Sequence, residues 1–349
     1  MKPRYDQGMI RRLGALLLTA AAVAPPGRAQ TPPTVASLGT CKLASGAVIP
    51  DCRVAYRAFG KLNAARTNAV LIPTWLLGRS DQWIGMLGPT KLVDTTQFYT
   101  IVVDAFADGN SSSPSNTPAA GRAAFDDLTL GDMVDAQHRL VTENLKLPRL
   151  HAVLGISMGG MQSFEWAVRY PNFMDVVVPI MGAPKVGTYD QLLWNTTLSV
   201  IENGRRAGMS EDSVWTEVAR MIALFLRTPG AVDAESWMQL ASNVQNDAGN
   251  LRRTWSLDDY VTQIRAALRH DVSAPFGGDM ARAAAQVRAR MLIVYSWGDH
   301  MVTPGLTVEF AKLVKADTLS LATPCGHIAS GCEADRVGAA IRALLSPAP

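Results

Sequence analysis

Strand-like and helix-like segments alternate along most of this 349-residue chain, and this alternation constrains the fold more than any other feature. Several of the strand-like segments are continuously apolar, which is typical of strands buried on both faces of a parallel sheet. They are Val54 to Phe59, Ala69 to Pro73, Tyr99 to Asp104, Leu150 to Ile156, Asp175 to Met181, Met291 to Trp297 and, more weakly, Thr318 to Ala322. Helical patterns such as Leu130 to Leu145 and Met158 to Tyr170 lie between them. The sequence therefore predicts an α/β fold built on a layered, mostly parallel sheet.

The alternation stops after Met181, and residues 185–280 have the pattern of helices joined by turns. One predicted helix carries an apolar stripe formed by Val214, Val218, Met221, Ile222 and Phe225. We interpret the stripe as ordinary packing, with the wall of an acyl pocket as the alternative. The predicted organisation is a core in residues 30–184, a helical lid in residues 185–280 and the rest of the core in residues 281–349.

The first 29 residues have the features of a secretory signal peptide. Four cations precede the apolar run Leu13 to Ala24: Lys2, Arg4, Arg11 and Arg12. The run is shorter than the ~20 residues that span a bilayer. Two prolines end it, and small residues flank a predicted cleavage site after Ala29. We therefore predict a secreted or periplasmic protein; a buried N-terminal helix is the alternative reading, and the export route stays open.

Removal of residues 1–29 would take away five cations and one anion and would lower the formal net charge from +3 to −1. The remaining chain has no basic stripe of the kind that binds nucleic acid. It also has no second apolar run of membrane-spanning length. We expect a soluble mature protein that binds neither nucleic acid nor the membrane interior.

The strongest chemical signal lies between the predicted strand Leu150 to Ile156 and the helix after it. It reads Gly155-Ile156-Ser157-Met158-Gly159-Gly160. A G-x-S-x-G pattern in this position is typical of a nucleophile elbow, where side chains on the flanking residues would collide with backbone. We predict Ser157 as the nucleophile, Gly155 and Gly159 as elbow positions that require glycine, and the Met158 N–H as an oxyanion donor.

A serine nucleophile needs a base, and the chain contains five histidines. His327 lies in a loop after the last strand-like segment, where the order Ser…Asp…His places the base. Asp299 ends the preceding strand-like region and is the predicted acid, with Asp317 as a weaker alternative. The other histidines occupy less suitable positions: His138, His151, His270 and His300.

A second oxyanion donor is expected from the loop after Ala69 to Pro73. That loop reads Thr74-Trp75-Leu76-Leu77-Gly78. We favour the Leu76 N–H, with Trp75 as the alternative.

Four cysteines fit an exported protein. Three pairings are possible, and Cys41 with Cys52 and Cys325 with Cys332 are favoured because each pair closes a short loop. Free buried thiols are the alternative. The sequence lacks a Cys-x-x-Cys pattern, and we predict no metal site and no cofactor.

The residues around Ser157 resemble the homoserine O-acetyltransferase family of α/β-hydrolases. The resemblance rests on Leu154-Gly155-Ile156-Ser157-Met158-Gly159-Gly160-Met161-Gln162, Glu165-Trp166-Ala167, Tyr170-Pro171, Asn68-Ala69-Val70-Leu71, Gly88-Pro89 and Asp132-Met133-Val134. The likeness extends from about Val54 to Leu345. It implies an α/β-hydrolase fold with an eight-stranded sheet and a helical lid, a homodimer, and a triad of Ser157, Asp299 and His327.

The chain also departs from that family. The acetyltransferases usually have His-Ala-Leu-Thr-Gly in the oxyanion loop, where this chain has Thr74 to Gly78. They carry aspartate after the catalytic histidine, where this chain has Ile328, and an arginine for the homoserine carboxylate in the first lid helix, where Trp194 to Ile201 contains no cation. The other cations considered as substitutes are Arg79, Arg205 and Arg206.

These departures favour hydrolysis over acyl transfer. An exported enzyme would not meet acetyl-CoA, which is a cytosolic metabolite, and water would then resolve an acyl-enzyme. We predict an exported serine hydrolase that acts on a small-molecule carboxylic ester. The alternatives are an acyl-CoA-dependent O-acyltransferase and a non-catalytic secreted binding protein.

Overall fold

A computed structural model describes residues 31–346. The predicted signal peptide, residues 1–29, lies outside the described residues. Ten strands are present in the described part of the chain: β1 Thr34–Ser37, β2 Cys41–Lys42, β3 Val48–Ile49, β4 Arg53–Phe59, β5 Ala69–Pro73, β6 Tyr99–Val103, β7 Leu150–Ile156, β8 Met174–Ile180, β9 Arg290–Tyr295 and β10 Asp317–Ser320.

Eight of these strands form one sheet in the order β1-β4-β6-β5-β7-β8-β9-β10. Strand β4 is antiparallel to both of its neighbours, and every other pair is parallel. Strands β2 and β3 pair separately. The prediction of a mostly parallel, eight-stranded sheet is therefore confirmed, although the sequence pattern did not reveal the edge strand β1.

Both faces of the central strands are buried. Along β5, Ala69 and Leu71 join the hydrophobic core on one face, and Val70 and Ile72 join the core on the other. Because side chains alternate across a strand, a strand covered on both faces must be apolar at every position. This explains the continuous apolar runs in the sequence.

Helices cover the two faces and fill the chain between β8 and β9. The α-helices of residues 31–346 are α1 Leu130–Arg139, α2 Met158–Arg169, α3 Thr188–Arg206, α4 Glu211–Leu226, α5 Pro229–Val232, α6 Trp237–Thr254, α7 Leu257–Leu268, α8 Met280–Ala284, α9 Gly305–Val314, α10 Ala329–Cys332 and α11 Ala334–Leu345. The predicted helix Leu130 to Leu145 is α1 followed by a π-helical turn, Leu140–Asn144.

Helices α3 to α7 form an insertion with its own hydrophobic core. Val214 and Val218 of α4 are fully buried there, as ordinary packing predicts. Ile222 on the same stripe also lines the cavity described below. The insertion follows the C-terminal end of β8, where ligands of parallel α/β sheets commonly bind.

Two disulfides join Cys41 to Cys52 and Cys325 to Cys332, the pairs favoured by sequence proximity. In residues 31–346, no helix is long and apolar enough to cross a membrane. The same residues contain no group of three His, Cys, Asp or Glu side chains that could hold a metal ion.

Candidate active site

Ser157 lies on a strained turn between β7 and α2. Its φ of 57° and ψ of −121° belong to a region that L-residues rarely adopt. A Cβ atom on Gly155 would lie 2.3 Å from the Gly159 carbonyl oxygen, and one on Gly159 would lie 2.3 Å from that of Pro73. Glycine is therefore required at both predicted elbow positions, and the turn lifts the serine side chain above the sheet edge.

The structure brings Ser157, His327 and Asp299 together. The Ser157 Oγ lies 2.7 Å from His327 Nε2, and His327 Nδ1 lies 2.7 Å from Asp299 Oδ2. The backbone N–H groups of Met301 and Val302 donate to the other Asp299 oxygen at 2.8 and 2.9 Å, which orients the carboxylate. The arrangement has the geometry of a nucleophile, a base and an orienting acid.

The loop after β5 lies beside Ser157. Its first residue, Thr74, is anchored to β6 and the segment after it, because Thr74 N–H donates to the Val103 oxygen at 3.1 Å and Thr74 Oγ1 accepts from Ala105 N–H at 3.0 Å. Leu76 and Ser157 line the same cavity. The Met158 N–H is at the first turn of α2, where backbone donors have no partner within the helix. Leu76 and Met158 therefore stay the predicted oxyanion donors, with Leu76 on the wall of the cavity that contains Ser157.

The cavity above Ser157 has a volume of about 620 Å³. Its walls come mostly from apolar side chains, including Trp75, Trp194, Ile222 and Met301. Sites for small organic ligands commonly have this size and character.

Cations are absent from the inner wall of this cavity among the described residues. Trp194 of α3 occupies the wall, and the cavity's lysine and arginine, Lys91 and Arg253, are exposed at its mouth. Of the arginines considered from the sequence, Arg205 pairs with Asp258 at 2.6 Å, and Arg206 donates to the Asn203 side chain. Neither is directed into the cavity wall.

Arg79, the third arginine considered, joins the core to the insertion. It donates to the Asp108 oxygen at 2.8 Å and to the Thr254 oxygen at 3.0 Å, and its guanidinium lies 4.5 Å from the centre of the Trp255 ring. These contacts occupy the guanidinium with protein groups, which makes it a structural link rather than an anion site.

Two buried aspartates lie behind the oxyanion loop. Asp104 accepts from Ser80 N–H at 2.5 Å and from Ser80 Oγ at 3.0 Å. Burial raises the pKa of Asp104 to about 6, against the lowering effect of the Ser80 hydrogen bonds. Burial and the nearby Asp104 charge raise the pKa of Asp108 well above its usual value. Ser80, which follows the oxyanion loop by two residues, is thus held by a carboxyl group that binds a proton more tightly than free aspartate does.

The base loop contacts the insertion closely. Thr228 donates to the Pro324 oxygen through its hydroxyl at 2.8 Å and through its N–H at 3.2 Å. Gly326 has a φ of +63°, and a Cβ there would lie 2.8 Å from Arg227 Cα. His327 is held between this contact and the disulfide Cys325–Cys332.

The alpha/beta hydrolase fold family matches residues 68–331, so the chain belongs to this family. A probable esterase of Corynebacterium glutamicum is 31% identical over 280 residues, covering 76% of this chain and 80% of that relative. A homoserine O-acetyltransferase of Rhodospirillum rubrum is 28% identical, covering 79% and 80%. The solved structure of the acetyl esterase MekB has a TM-score of 0.83 and 28% identity, covering 91% of this chain and 97% of that one.

These similarities confirm the resemblance to homoserine O-acetyltransferase-like α/β-hydrolases that the sequence motifs suggested. The relatives are esterases and acyltransferases, and the chain is an α/β-hydrolase-type enzyme.

Sequence reasoning did not identify Gln263, Thr228 and Asp247 as residues near the site. Gln263 is a fully buried amide on α7. The sequence offered only a polar residue on a mixed helix face as a signal, and the partners of Gln263 are more than 150 positions away in the chain.

Proposed function

We propose that this protein is an exported serine hydrolase that cleaves carboxylic esters with a short acyl group through an acyl-enzyme. The observation that carries the proposal is the hydrogen-bonded chain Ser157–His327–Asp299 at the floor of a mostly apolar cavity. The similarity to a probable esterase and to the acetyl esterase structure supports ester hydrolysis and a short acyl group.

The chemistry follows from the positions of the atoms. Ser157 Oγ attacks the ester carbonyl carbon while His327 Nε2 accepts the hydroxyl proton. The Leu76 and Met158 N–H groups bind the oxyanion that forms. His327 then returns the proton to the departing alkoxide, which leaves as the alcohol. A water molecule then gives a proton to His327 and attacks the acyl carbon; the bond from that carbon to Ser157 Oγ breaks, His327 returns the proton to Ser157 Oγ, and the acid is released.

Transfer of an acyl group to homoserine is the second candidate, and the acetyltransferase relative supports it. Homoserine carries a carboxylate, and burial of an unpaired charge is costly. The cavity wall formed by Trp194 offers that carboxylate no cation, since the cavity's Lys91 and Arg253 lie exposed at its mouth. This difference favours water as the acceptor.

A hydrolysis screen tests the choice between the two acceptors. The purified protein would be given p-nitrophenyl esters of increasing acyl length, with and without acetyl-CoA and homoserine. We expect the short esters to be cleaved fastest and little O-acetylhomoserine to form. Efficient acetylation of homoserine with negligible hydrolysis would contradict the proposal. Labelling of Ser157 by a fluorophosphonate distinguishes both reactions from a non-catalytic binding protein.

Export is the part of the proposal that rests on residues 1–29. The full chain would be expressed in a bacterial host, and the N-terminus of the product would be sequenced after cell fractionation. We expect a mature protein that begins near Gln30 in the periplasm or medium. An intact N-terminus in the cytosol would contradict export and leave the hydrolase proposal standing.

A further inference from the structure

The oxyanion loop contains a strained residue next to the predicted donor. Leu77 has a φ of +58°, in the left-handed region that a leucine adopts only when surrounding contacts hold it. Its neighbour Leu76 supplies the predicted oxyanion N–H. The conformation of Leu77 therefore bears on where that N–H points through the single residue Leu76 that joins the two peptide groups.

Gln263 of α7 holds this strained residue in place. Its side-chain oxygen accepts from the Leu77 N–H at 3.0 Å, and its side-chain nitrogen donates to the Phe106 oxygen at 3.1 Å. The amide is fully buried, so water cannot replace either partner without a rearrangement. One side chain of the insertion thus connects the oxyanion loop to the segment that follows β6.

The Leu76 N–H lies between two anchored points. On one side, Thr74 is fixed to the core, and the Gln162 side chain of α2 donates to the Thr74 oxygen at 3.2 Å. On the other side, Gln263 fixes the peptide group between Leu76 and Leu77. Loss of the second anchor would free that peptide group and, with it, the direction of the Leu76 N–H.

We propose that Gln263 is a positioning residue that sets the geometry of the oxyanion hole from the helical insertion. The inference rests on the proposed function, because it takes Leu76 as an oxyanion donor. Gln263 touches neither the substrate nor the reacting atoms; it acts through the Leu77 N–H.

The test compares Gln263→Met with a control at a second side-chain contact to α7, between Ser115 of the core and Asp259 of that helix. Methionine keeps the length and the unbranched shape of the side chain but makes neither hydrogen bond. The control is Ser115→Ala, which removes a partly buried side-chain hydrogen bond between the core and α7: the Ser115 hydroxyl donates to Asp259 at 2.5 Å. This contact lies outside the oxyanion loop, so the control reports the general effect of loosening α7.

We expect Gln263→Met to lower kcat for a short p-nitrophenyl ester by about 10- to 100-fold, because small displacements of a catalytic group are costly, and to change KM by less than about 3-fold. The rate at which a fluorophosphonate labels Ser157 should fall in parallel, because its phosphoryl oxygen occupies the oxyanion position. Ser115→Ala should lower the melting temperature without either kinetic loss. If Gln263 had a purely structural role, both variants would instead show equal changes in kcat and in labelling rate.

The labelling rate keeps this test separate from the proposed function, since it does not depend on whether water or another acceptor resolves the acyl-enzyme. If Gln263→Met fails to fold, Gln263→Glu takes its place, because it keeps an acceptor for Leu77 N–H and loses the amide donor to Phe106. We expect the kcat and the labelling rate of this variant to lie between those of the wild type and those of a variant that makes neither hydrogen bond. Unchanged kcat and labelling in a folded Gln263 variant, or an equal kinetic loss in Ser115→Ala, would overturn the proposal.

Discussion

The sheet edge and the helical insertion hold the candidate site by different means. Around Ser157, backbone packs against backbone so closely that a single methyl group on Gly155 or Gly159 has no room. The insertion reaches the site through side-chain hydrogen bonds, from Gln263 to the oxyanion loop and from Thr228 to the base loop. A single substitution can remove one of these hydrogen bonds and leave the others in place. The closely packed backbone of the elbow offers no such partial change. Substitutions of the reacting groups at the sheet edge should therefore abolish the chemistry, and substitutions of the supporting contacts should only weaken it.

The largest expected effect is that of Ser157→Ala. No acyl-enzyme can form without the hydroxyl, and activity toward a short p-nitrophenyl ester should fall by ~10⁴-fold or more. Because alanine at this position keeps the backbone of the elbow, the melting temperature should stay close to that of the wild type. Near wild-type turnover in the folded variant would refute the proposed mechanism.

His327→Ala should lower the activity about as much as Ser157→Ala does, and Asp299→Asn should lower it somewhat less. His300→Ala provides a matched control, since His300 is the next residue after Asp299, whereas His327 is the histidine hydrogen-bonded to Ser157 Oγ. Equal losses in the His300 and His327 variants would show that the Asp299 loop, rather than the base, limits the reaction.

The same contrast explains how much of the site could be predicted from the sequence. The elbow is encoded in six consecutive residues, and its steric requirements follow from the type of turn. Asp299 and His327 could also be predicted from the sequence, because the sheet topology determines which strand ends lie next to each other. The contacts of Gln263 and Thr228 join residues 186 and 96 positions apart. Such pairings depend on how the insertion packs, and a single sequence carries no local pattern for them. The edge strand β1 was missed because its burial pattern is mostly exposed.

Removal of a disulfide should have a smaller effect than loss of a triad residue. The two disulfides also extend the comparison, because one lies at the site and the other lies in the N-terminal segment. Cys325–Cys332 encloses His327, whereas Cys41–Cys52 lies in the N-terminal segment with both cysteines buried. Each closes a short loop, for which chain-entropy estimates give roughly 2–3 kcal/mol. The free-energy contributions should thus be similar, while the distances to the chemistry differ.

We expect Cys325→Ser with Cys332→Ser to lower turnover by about 10-fold or more, through misplacement of the base, and to lower the melting temperature modestly. Cys41→Ser with Cys52→Ser should show the opposite bias, with a clear loss of thermal stability and little loss of turnover. Peptide mapping under non-reducing conditions checks the pairing in the purified protein. Equal kinetic losses in the two double variants would show that Cys325–Cys332 supports the active site no more than Cys41–Cys52 does.

The smallest expected effect tests whether the insertion stays packed on the sheet in solution. Asp247 of α6 lines the cavity, and burial raises its pKa to about 6, with the Arg227 charge acting in the opposite direction. The folded state then binds a proton more tightly than the unfolded state, in which the pKa is about 3.9. The Asp247 contribution to the free energy of unfolding is therefore greatest at low pH and decreases as the pH rises from about 4 to about 6.

Asp247→Asn removes this titration, so the variant should lose less stability than the wild type between pH 4 and pH 6 and should be slightly more stable at pH 8. Because the side chain is partly solvated, we expect a gain below about 1 kcal/mol, or roughly 1–3 °C in melting temperature. Asp104 and Asp108 add to the wild-type slope in the same direction, so the difference between variant and wild type isolates Asp247. Asp233→Asn, a change at an exposed aspartate of the insertion, serves as the control. Parallel pH profiles for the wild type and Asp247→Asn would mean that water reaches this carboxyl group freely. The insertion would then be separated from the sheet edge for much of the time, and its hydrogen bonds could not position the site in the way the comparison requires.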